Sequence, residues 1–173
     1  TLFLDASALA YSFGGSPLGH VDYSEQQSTT GLVTGGCHRI VTGGQSRVAM
    51  RHSGDVIDHA HHEGKHTIDI DLRALSDEVG AIYLTLSAWQ QDLRTIVRPE
   101  VLCIDPDEKS NEPLARYELE GRPTGSQTAV LMAKIWRPAP GKSWKVTAIG
   151  ELCKGRAGQY QPMHDKISGL QAD

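Results

Sequence analysis

Five of the chain's eight histidines lie between His52 and Leu72, in a stretch that also carries aspartates and a glutamate. Imidazole nitrogens bind borderline divalent ions such as zinc, whereas carboxylate oxygens are the ligands that calcium prefers. The stretch ends in the alternating segment from Thr67 to Leu72, which predicts a β-strand. We therefore expect the donor groups to lie on a loop that is fixed at one end to a sheet and is able to hold an ion.

A calcium site would use the carboxylates of this loop. Gly54 and Gly64 provide the bends that a loop needs to surround an ion. The candidate oxygen ligands are Asp5, Asp55, Asp58 and Glu63. Of these, Asp5 belongs to a separate strand and approaches only if the two strands pair. The loop has no EF-hand pattern, so the prediction rests on its carboxylates alone.

The histidines offer a second kind of site. Imidazoles suit zinc or nickel, and the candidate nitrogen ligands are His59, His61, His62 and His66. Neighbouring side chains of an extended segment point to opposite sides, so the loop would have to curl around the ion. A third interpretation is a solvated polar loop whose histidines bind nothing specifically. The pattern of residues leaves all three interpretations open.

Other chemistry has no motif in this chain. The sequence lacks a G-x-S-x-G elbow and a phosphate-binding Gly-Lys-Ser/Thr loop, so we predict that the protein is not an enzyme. The net charge is −4 and the basic residues are scattered, which argues against nucleic acid as a partner. No apolar run is long enough to insert into a membrane. Three widely spaced cysteines suit a reducing compartment, and we predict a cytoplasmic protein.

The elements that must position these residues are predicted to be strands. Alternating apolar residues mark eight of them: Leu2 to Tyr11, Ser46 to Met50, Thr67 to Leu72, Ala81 to Ala88, Ile96 to Ile104, Leu114 to Leu119, Ala129 to Trp136 and Trp144 to Leu152. Glycine-rich and proline-rich turns separate them, while the segment from Leu75 to Val79 predicts one helical turn. The prediction is an all-β fold, a two-sheet β-sandwich with short hairpin connections. From Gly155 onwards the pattern fades, which predicts an irregular C-terminal tail as the one segment able to hold a helix.

Five motifs, taken in order, resemble the TerD family of tellurium-resistance and stress-response proteins. They are LDASALAY at 4 to 11, HSGDV at 52 to 56, TIDIDLRAL at 67 to 75, ARYELEG at 115 to 121 and KIWRPAPGKSWKVTAIGE at 134 to 151. The resemblance implies a β-sandwich domain over residues 1–160, followed by the tail at 161–173. It also implies a non-enzymatic, calcium-binding protein that works in cytoplasmic assemblies for stress and metal resistance.

The chain departs from the family pattern in two places. Where the family carries a dense acidic run, this sequence reads HAHHEGKH, and the loss of carboxylates together with the ammonium of Lys65 should weaken calcium binding. The family also carries a further pair of strands before the segment that begins at Leu4, and their absence would expose a sheet edge. We therefore expect protein partners, or self-association, through that edge or the tail. Two alternatives remain: a docking module with a vestigial ion site, and zinc binding by the histidine loop.

Overall fold

A computed structural model describes residues 4–24, 39–42, 45–58, 60, 63–89, 92–95, 99–107, 112–119 and 125–171. Its elements, in chain order, are β1 (Leu4–Ser12), β2 (Pro17–Val21), β3 (Arg39–Thr42), β4 (Gln45–Val48), β5 (Met50–His52), β6 (Val56–Asp58), β7 (Glu63–Lys65), β8 (Ile68–Ile70), β9 (Val79–Ala88), a short 3-10 helix (Leu93–Thr95), β10 (Glu100–Cys103), β11 (Ala115–Glu118), β12 (Ala129–Trp136), β13 (Lys145–Cys153) and α1 (Gln161–Gln171). Strands dominate, which confirms the all-β prediction. None of the described helices is long and apolar enough to cross a membrane.

The core of the molecule is a five-stranded antiparallel sheet in the order β13-β12-β9-β1-β2. The strand predicted at Leu2 to Tyr11 is an inner strand here, because β1 pairs with β9 from Leu4↔Ala88 to Ser12↔Val79 and with β2 on its other side. Four two-stranded ladders accompany this sheet among the described residues: β3-β4, β5-β8, β6-β7 and β10-β11.

The two faces of the central sheet pack against different layers. One face presents small residues of β1, including Ala8 and Ala10, to the β5-β8 ladder, where Met50 is fully buried. The β10-β11 ladder packs further along the same face. The opposite face presents Leu9 and Tyr11 to α1. The second layer of the sandwich is therefore built from separate ladders, and the helix adds a third layer.

The C-terminal segment differs from the irregular tail that the sequence predicted, because residues 161–171 form α1. Met163 and Ile167 are fully buried against the sheet, and Leu170 packs beside them, so one stripe of the helix is apolar. Pro162 lies in the first turn, where its missing N–H has no helical partner to lose. Glycines and polar residues around this stripe dilute the pattern in the sequence.

Several local predictions also differ in detail. The predicted helical turn from Leu75 to Val79 is instead a single turn closed by a bond from the N–H of Val79 to the carbonyl of Ser76, and Val79 already belongs to β9. The predicted strand from Ser46 to Met50 is divided between β4 and β5. The remaining strands are found within a few residues of their predicted limits, although residues 96–98 lie outside the described part of the chain.

Candidate metal centre

Three carboxylates and two imidazoles meet at the end of the central sheet where β1 begins. They are Asp5, Asp22, Asp55, His52 and His66, and we call this group the Asp–His cluster. Asp5 lies in β1, Asp22 directly follows β2, and His52 ends β5. The charges of Asp22, Asp55 and His66 all act on the pKa of Asp5, and the rings of His52 and His66 lie 5.4 Å apart. Segments far apart in sequence thus place ionisable groups together.

The turn that follows β5 positions two members of the cluster. Gly54 has a φ of 78°, a backbone conformation that other residues rarely adopt, and it brings the chain back towards β8. Ser53 closes the turn, because its N–H donates to the carbonyl of Thr67 at 2.8 Å and its Oγ accepts from the N–H of Thr67 at 3.0 Å. His66 precedes Thr67, so these bonds fix its backbone beside Asp55.

The hydrogen bonding of His66 determines which ring nitrogen is available. Its Nε2 lies 2.6 Å from the carbonyl oxygen of Leu4, and because a carbonyl only accepts, Nε2 carries the proton. In the neutral ring Nδ1 then holds a lone pair. That atom is buried, has no hydrogen-bond partner among the described residues, and faces Asp55 Oδ1 at 3.5 Å. A neutral ring therefore places a lone pair opposite this carboxylate oxygen, and a protonated ring places an N–H there.

His52 has the opposite arrangement. Its Nδ1 accepts a hydrogen bond from the N–H of Gly54 at 2.9 Å, which leaves the proton of the neutral ring on Nε2. Burial lowers the pKa of His52, and the neighbouring His66 lowers it further. His52 is thus held neutral, and its ring packs against that of His66.

Asp5 is a carboxyl group that is poorly solvated. Only 8% of its surface is exposed, and its Oδ2 is buried with no hydrogen-bond donor in the part of the chain that the structure describes. Burial and, next, the negative charge of Asp55 raise the pKa of Asp5 to about 6, against an opposing effect of His66. A proton or a metal cation near Asp5 would relieve both causes.

Asp22 is fully buried, and hydrogen bonds hold both of its oxygens. Its Oδ1 accepts from the N–H and the hydroxyl of Ser24, at 2.8 and 2.7 Å. Its Oδ2 accepts from the hydroxyl of Tyr160 at 2.5 Å, and His20 Nε2 lies 3.8 Å from the same oxygen. These donors stabilise a carboxylate in the interior, which would otherwise be costly to ionise.

The structure brings together Asp5, Asp55 and His66 of the predicted ligands. Asp58 is exposed at the end of β6, where its Oδ1 accepts a hydrogen bond from the N–H of Ala60 at 2.9 Å. Glu63 pairs with Asp58 across the β6-β7 ladder through the backbone. The predictions for His59, His61 and His62 fall outside the described residues.

The prediction from sequence missed Asp22, His52 and Tyr160. Asp22 and Tyr160 are single polar residues in unrelated parts of the chain, and only the folded topology brings them together. His52 begins the histidine-rich stretch, but nothing in its spacing distinguishes a supporting ring from a ligand. Within the described ranges, no three His, Cys, Asp or Glu side chains are placed closely enough to surround an ion by themselves.

The chain is similar to proteins of one family. A family model for the TerD domain matches residues 44–161, more than half of the chain. The solved structure of a homologue of the telluride resistance protein TerD, SCO6318 from Streptomyces coelicolor A3(2), is similar over 94% of this chain and 86% of that chain, with a TM-score of 0.65 and 13% identity. The protein SAV2460, whose function is given as unknown, is similar over 86% and 77%, with a TM-score of 0.59 and 15% identity. No curated protein matches significantly.

Proposed function

The chain belongs to the TerD family, and on that basis we propose that it is a non-enzymatic, tellurium-resistance-type domain that binds a divalent cation at the Asp–His cluster. Calcium is the first candidate ion. The protein acts in the cytoplasm with protein partners, which it contacts through a sheet edge or through the C-terminal segment.

One observation carries this proposal. Asp5 Oδ2 and His66 Nδ1 are buried atoms without hydrogen-bond partners among the described residues, and Asp55 lies beside them. Buried polar atoms are nearly always paired, and the poorly solvated carboxyl group of Asp5 supports a positively charged partner at this cluster. A cation would satisfy both atoms and reduce the repulsion between the carboxylates of Asp5 and Asp55.

Calcium would take its oxygens from carboxylates around this point. The oxygen ligands in this proposal are Asp5, Asp22 and Asp55, with Asp58 and Glu63 as further donors from the β6-β7 ladder. Water and backbone carbonyls would complete the shell, as is usual for this ion. Lys65 adds a positive charge to the same ladder, which should make binding weaker than an all-acidic loop would allow.

A transition metal is the second candidate, because the lone pair of His66 Nδ1 faces Asp55. Imidazole is a good ligand for zinc and a poor one for calcium. His59, His61 and His62 follow Asp58 in the sequence and would supply the additional nitrogens. In this form of the proposal, the loop has been adapted from oxygen to nitrogen ligation.

Calorimetric titration of the metal-stripped protein tests the proposal, first with calcium and then with zinc, together with the melting temperature at each concentration. An ion that binds only the folded state raises the melting temperature as its concentration increases. The double variant Asp5→Asn, Asp55→Asn should lose binding, whereas Asp107→Asn, which removes a charge from an exposed turn, should keep it.

The two ions separate the two candidates. Calcium binding that persists in His66→Ala supports oxygen ligation, while zinc binding that this variant abolishes supports the adapted loop. If neither ion binds or shifts the melting temperature of the wild type, the proposed cation function is wrong. A docking module with a vestigial ion site would then be the function to pursue.

A further inference from the structure

The hydroxyl of Tyr160 joins the Asp–His cluster to the C-terminal helix. It donates a hydrogen bond to Asp22 Oδ2 at 2.5 Å, and Ser7 Oγ lies 2.9 Å from the same hydroxyl. Because the tyrosine gives its proton to the carboxylate, Ser7 must be the donor in the second bond. The resulting chain of hydrogen bonds runs from β1, through Tyr160, to the end of β2.

These three groups lie in the interior of the protein. Ser7 and Asp22 are fully buried, and Tyr160 is nearly so. Burial and the bond to Asp22 both raise the pKa of Tyr160, so the hydroxyl keeps its proton at neutral pH. A hydrogen bond to a buried carboxylate is among the stronger ones in proteins, since the charged acceptor cannot turn to water instead.

Tyr160 also fixes the start of α1. Its carbonyl accepts the N–H of His164, the first bond of the helix, and its ring packs with Met163 and Ile167. A second bond, from Tyr11 to His164 Nδ1, holds the same helix to β1 without involving any carboxylate of the cluster. The helix is therefore attached to the sheet through two tyrosines, of which one contacts the cluster.

We propose that Tyr160 couples cation occupancy of the Asp–His cluster to the docking of α1. This coupling rests on the proposed function, and it means that ion binding would change the stability of the surface beside α1. Ser24 holds Oδ1 of Asp22 and Tyr160 holds Oδ2, so Tyr160 fixes the second oxygen of a carboxylate whose charge acts on Asp5 and His52. When α1 is docked, Tyr160 orients the carboxylate of Asp22 for ion binding. When an ion binds Asp22, it stabilises the Tyr160–Asp22 bond and with it the docked helix. Such coupling is reciprocal by necessity.

The effect of occupancy would reach the protein surface beside the helix. Tyr160 lines a surface cleft of about 570 Å³, together with Lys154, Arg156 and Gln161. Arg156 and Gln159 form a tight turn at its wall through paired backbone bonds, at 3.3 and 2.9 Å. Because the cleft and the cluster share Tyr160, tighter docking of α1 also changes how firmly the wall of the cleft is held.

Two variants test this coupling in the full chain. Tyr160→Phe removes only the hydroxyl and keeps the ring in the core, while Tyr11→Phe removes the other helix-anchoring hydroxyl and serves as the matched control. Calcium affinity is measured by calorimetry, with zinc as the second probe. Exchange of the backbone amides of α1 is followed with and without the ion. Circular dichroism establishes that both variants are folded.

We expect Tyr160→Phe to weaken ion binding by roughly five- to tenfold, at the lower end of couplings between linked sites. In the wild type the ion should slow amide exchange in α1, and in Tyr160→Phe this slowing should disappear. Tyr11→Phe should loosen α1 and weaken ion binding much less than Tyr160→Phe does, because the bond from Tyr160 to Asp22 remains.

The outcomes separate the coupling from the function on which it rests. Ion binding with equal affinity in the wild type and Tyr160→Phe, or with no effect on exchange in α1, would overturn the coupling and leave the cation site intact. Equal weakening in Tyr11→Phe would also overturn it, because general loosening of the helix would then suffice. A wild type that binds neither ion overturns both.

Discussion

Asp5 combines a charge with an environment that disfavours it. Its carboxyl is buried near two other carboxylates, and burial together with these charges raises its pKa to about 6. In the ion-free protein the protonated form is therefore favoured on folding. The stabilising contribution of this residue is fully present below the pKa of the unfolded chain, near 4, and is lost as the pH rises through about 6.

Asp5→Asn should consequently stabilise the ion-free protein at pH 7.5, by about 2 to 3 kcal/mol, because the amide carries no charge to bury. At pH 3.5 the variant and the wild type should have nearly equal stability. Urea unfolding at the two pH values measures this difference, with Asp107→Asn as the control. Equal stability of Asp5→Asn and the wild type at pH 7.5 would contradict the raised pKa.

Gly150 lies in β13 and shows how closely the β10-β11 ladder approaches the central sheet. It has a φ of 75°, and a Cβ at this position would overlap the hydroxyl oxygen of Tyr117 in β11. Two causes therefore require glycine here: the left-handed backbone and the contact between the β10-β11 ladder and the central sheet.

Gly150→Ala should lower the free energy of unfolding by about 1 to 3 kcal/mol through strain and overlap. The double variant Gly150→Ala, Tyr117→Phe removes the overlapping oxygen and should recover part of the loss, leaving the backbone strain. Chemical denaturation of the single and double variants measures both contributions. If the second substitution recovers nothing, the contact with Tyr117 is not what excludes a side chain at position 150.

The helix α1 is an integral layer of the fold. Ile167 is fully buried against the central sheet, whereas Ser168 is exposed on the same helix. Ile167→Ala should lower the free energy of unfolding by about 2 to 4 kcal/mol, the usual result of removing a buried aliphatic side chain. Ser168→Ala should change it little. Thermal or urea unfolding of both variants tests the expectation, and equal effects would mean that the helix is only loosely attached.

At the scale of the whole molecule, the sequence predicts the strands better than the layers. Apolar and small residues give the positions of β1, β9 and β12 to within about two residues, because each strand is buried on both faces. No local sequence pattern predicts that the second layer is divided into separate ladders. The apolar stripe of α1 is likewise diluted by glycines and polar residues, so the helix could not be distinguished from an irregular tail.

The site was predictable only in part, for a related reason. Asp55 and His66 lie in a stretch whose composition already indicates ion binding, and Asp5 follows from strand pairing. Asp22 and Tyr160 have no pattern of their own, and their roles follow from a bond between residues 138 positions apart. Residues that support a site through tertiary contacts carry no spacing that a single sequence reveals.

The pairing of β1 with β9 has a kinetic consequence. Strand pairs that join distant segments form slowly, because a long loop must close before the contacts stabilise it. The residues of the Asp–His cluster lie on β1, at the end of β2 and beside the β5-β8 ladder. Their side chains therefore come together only after most of the sheet has formed. A cation that needs all of them meets no site in the early stages of folding. It would slow unfolding and leave the folding rate unchanged, and so prolong the lifetime of the native protein without helping the chain to reach it.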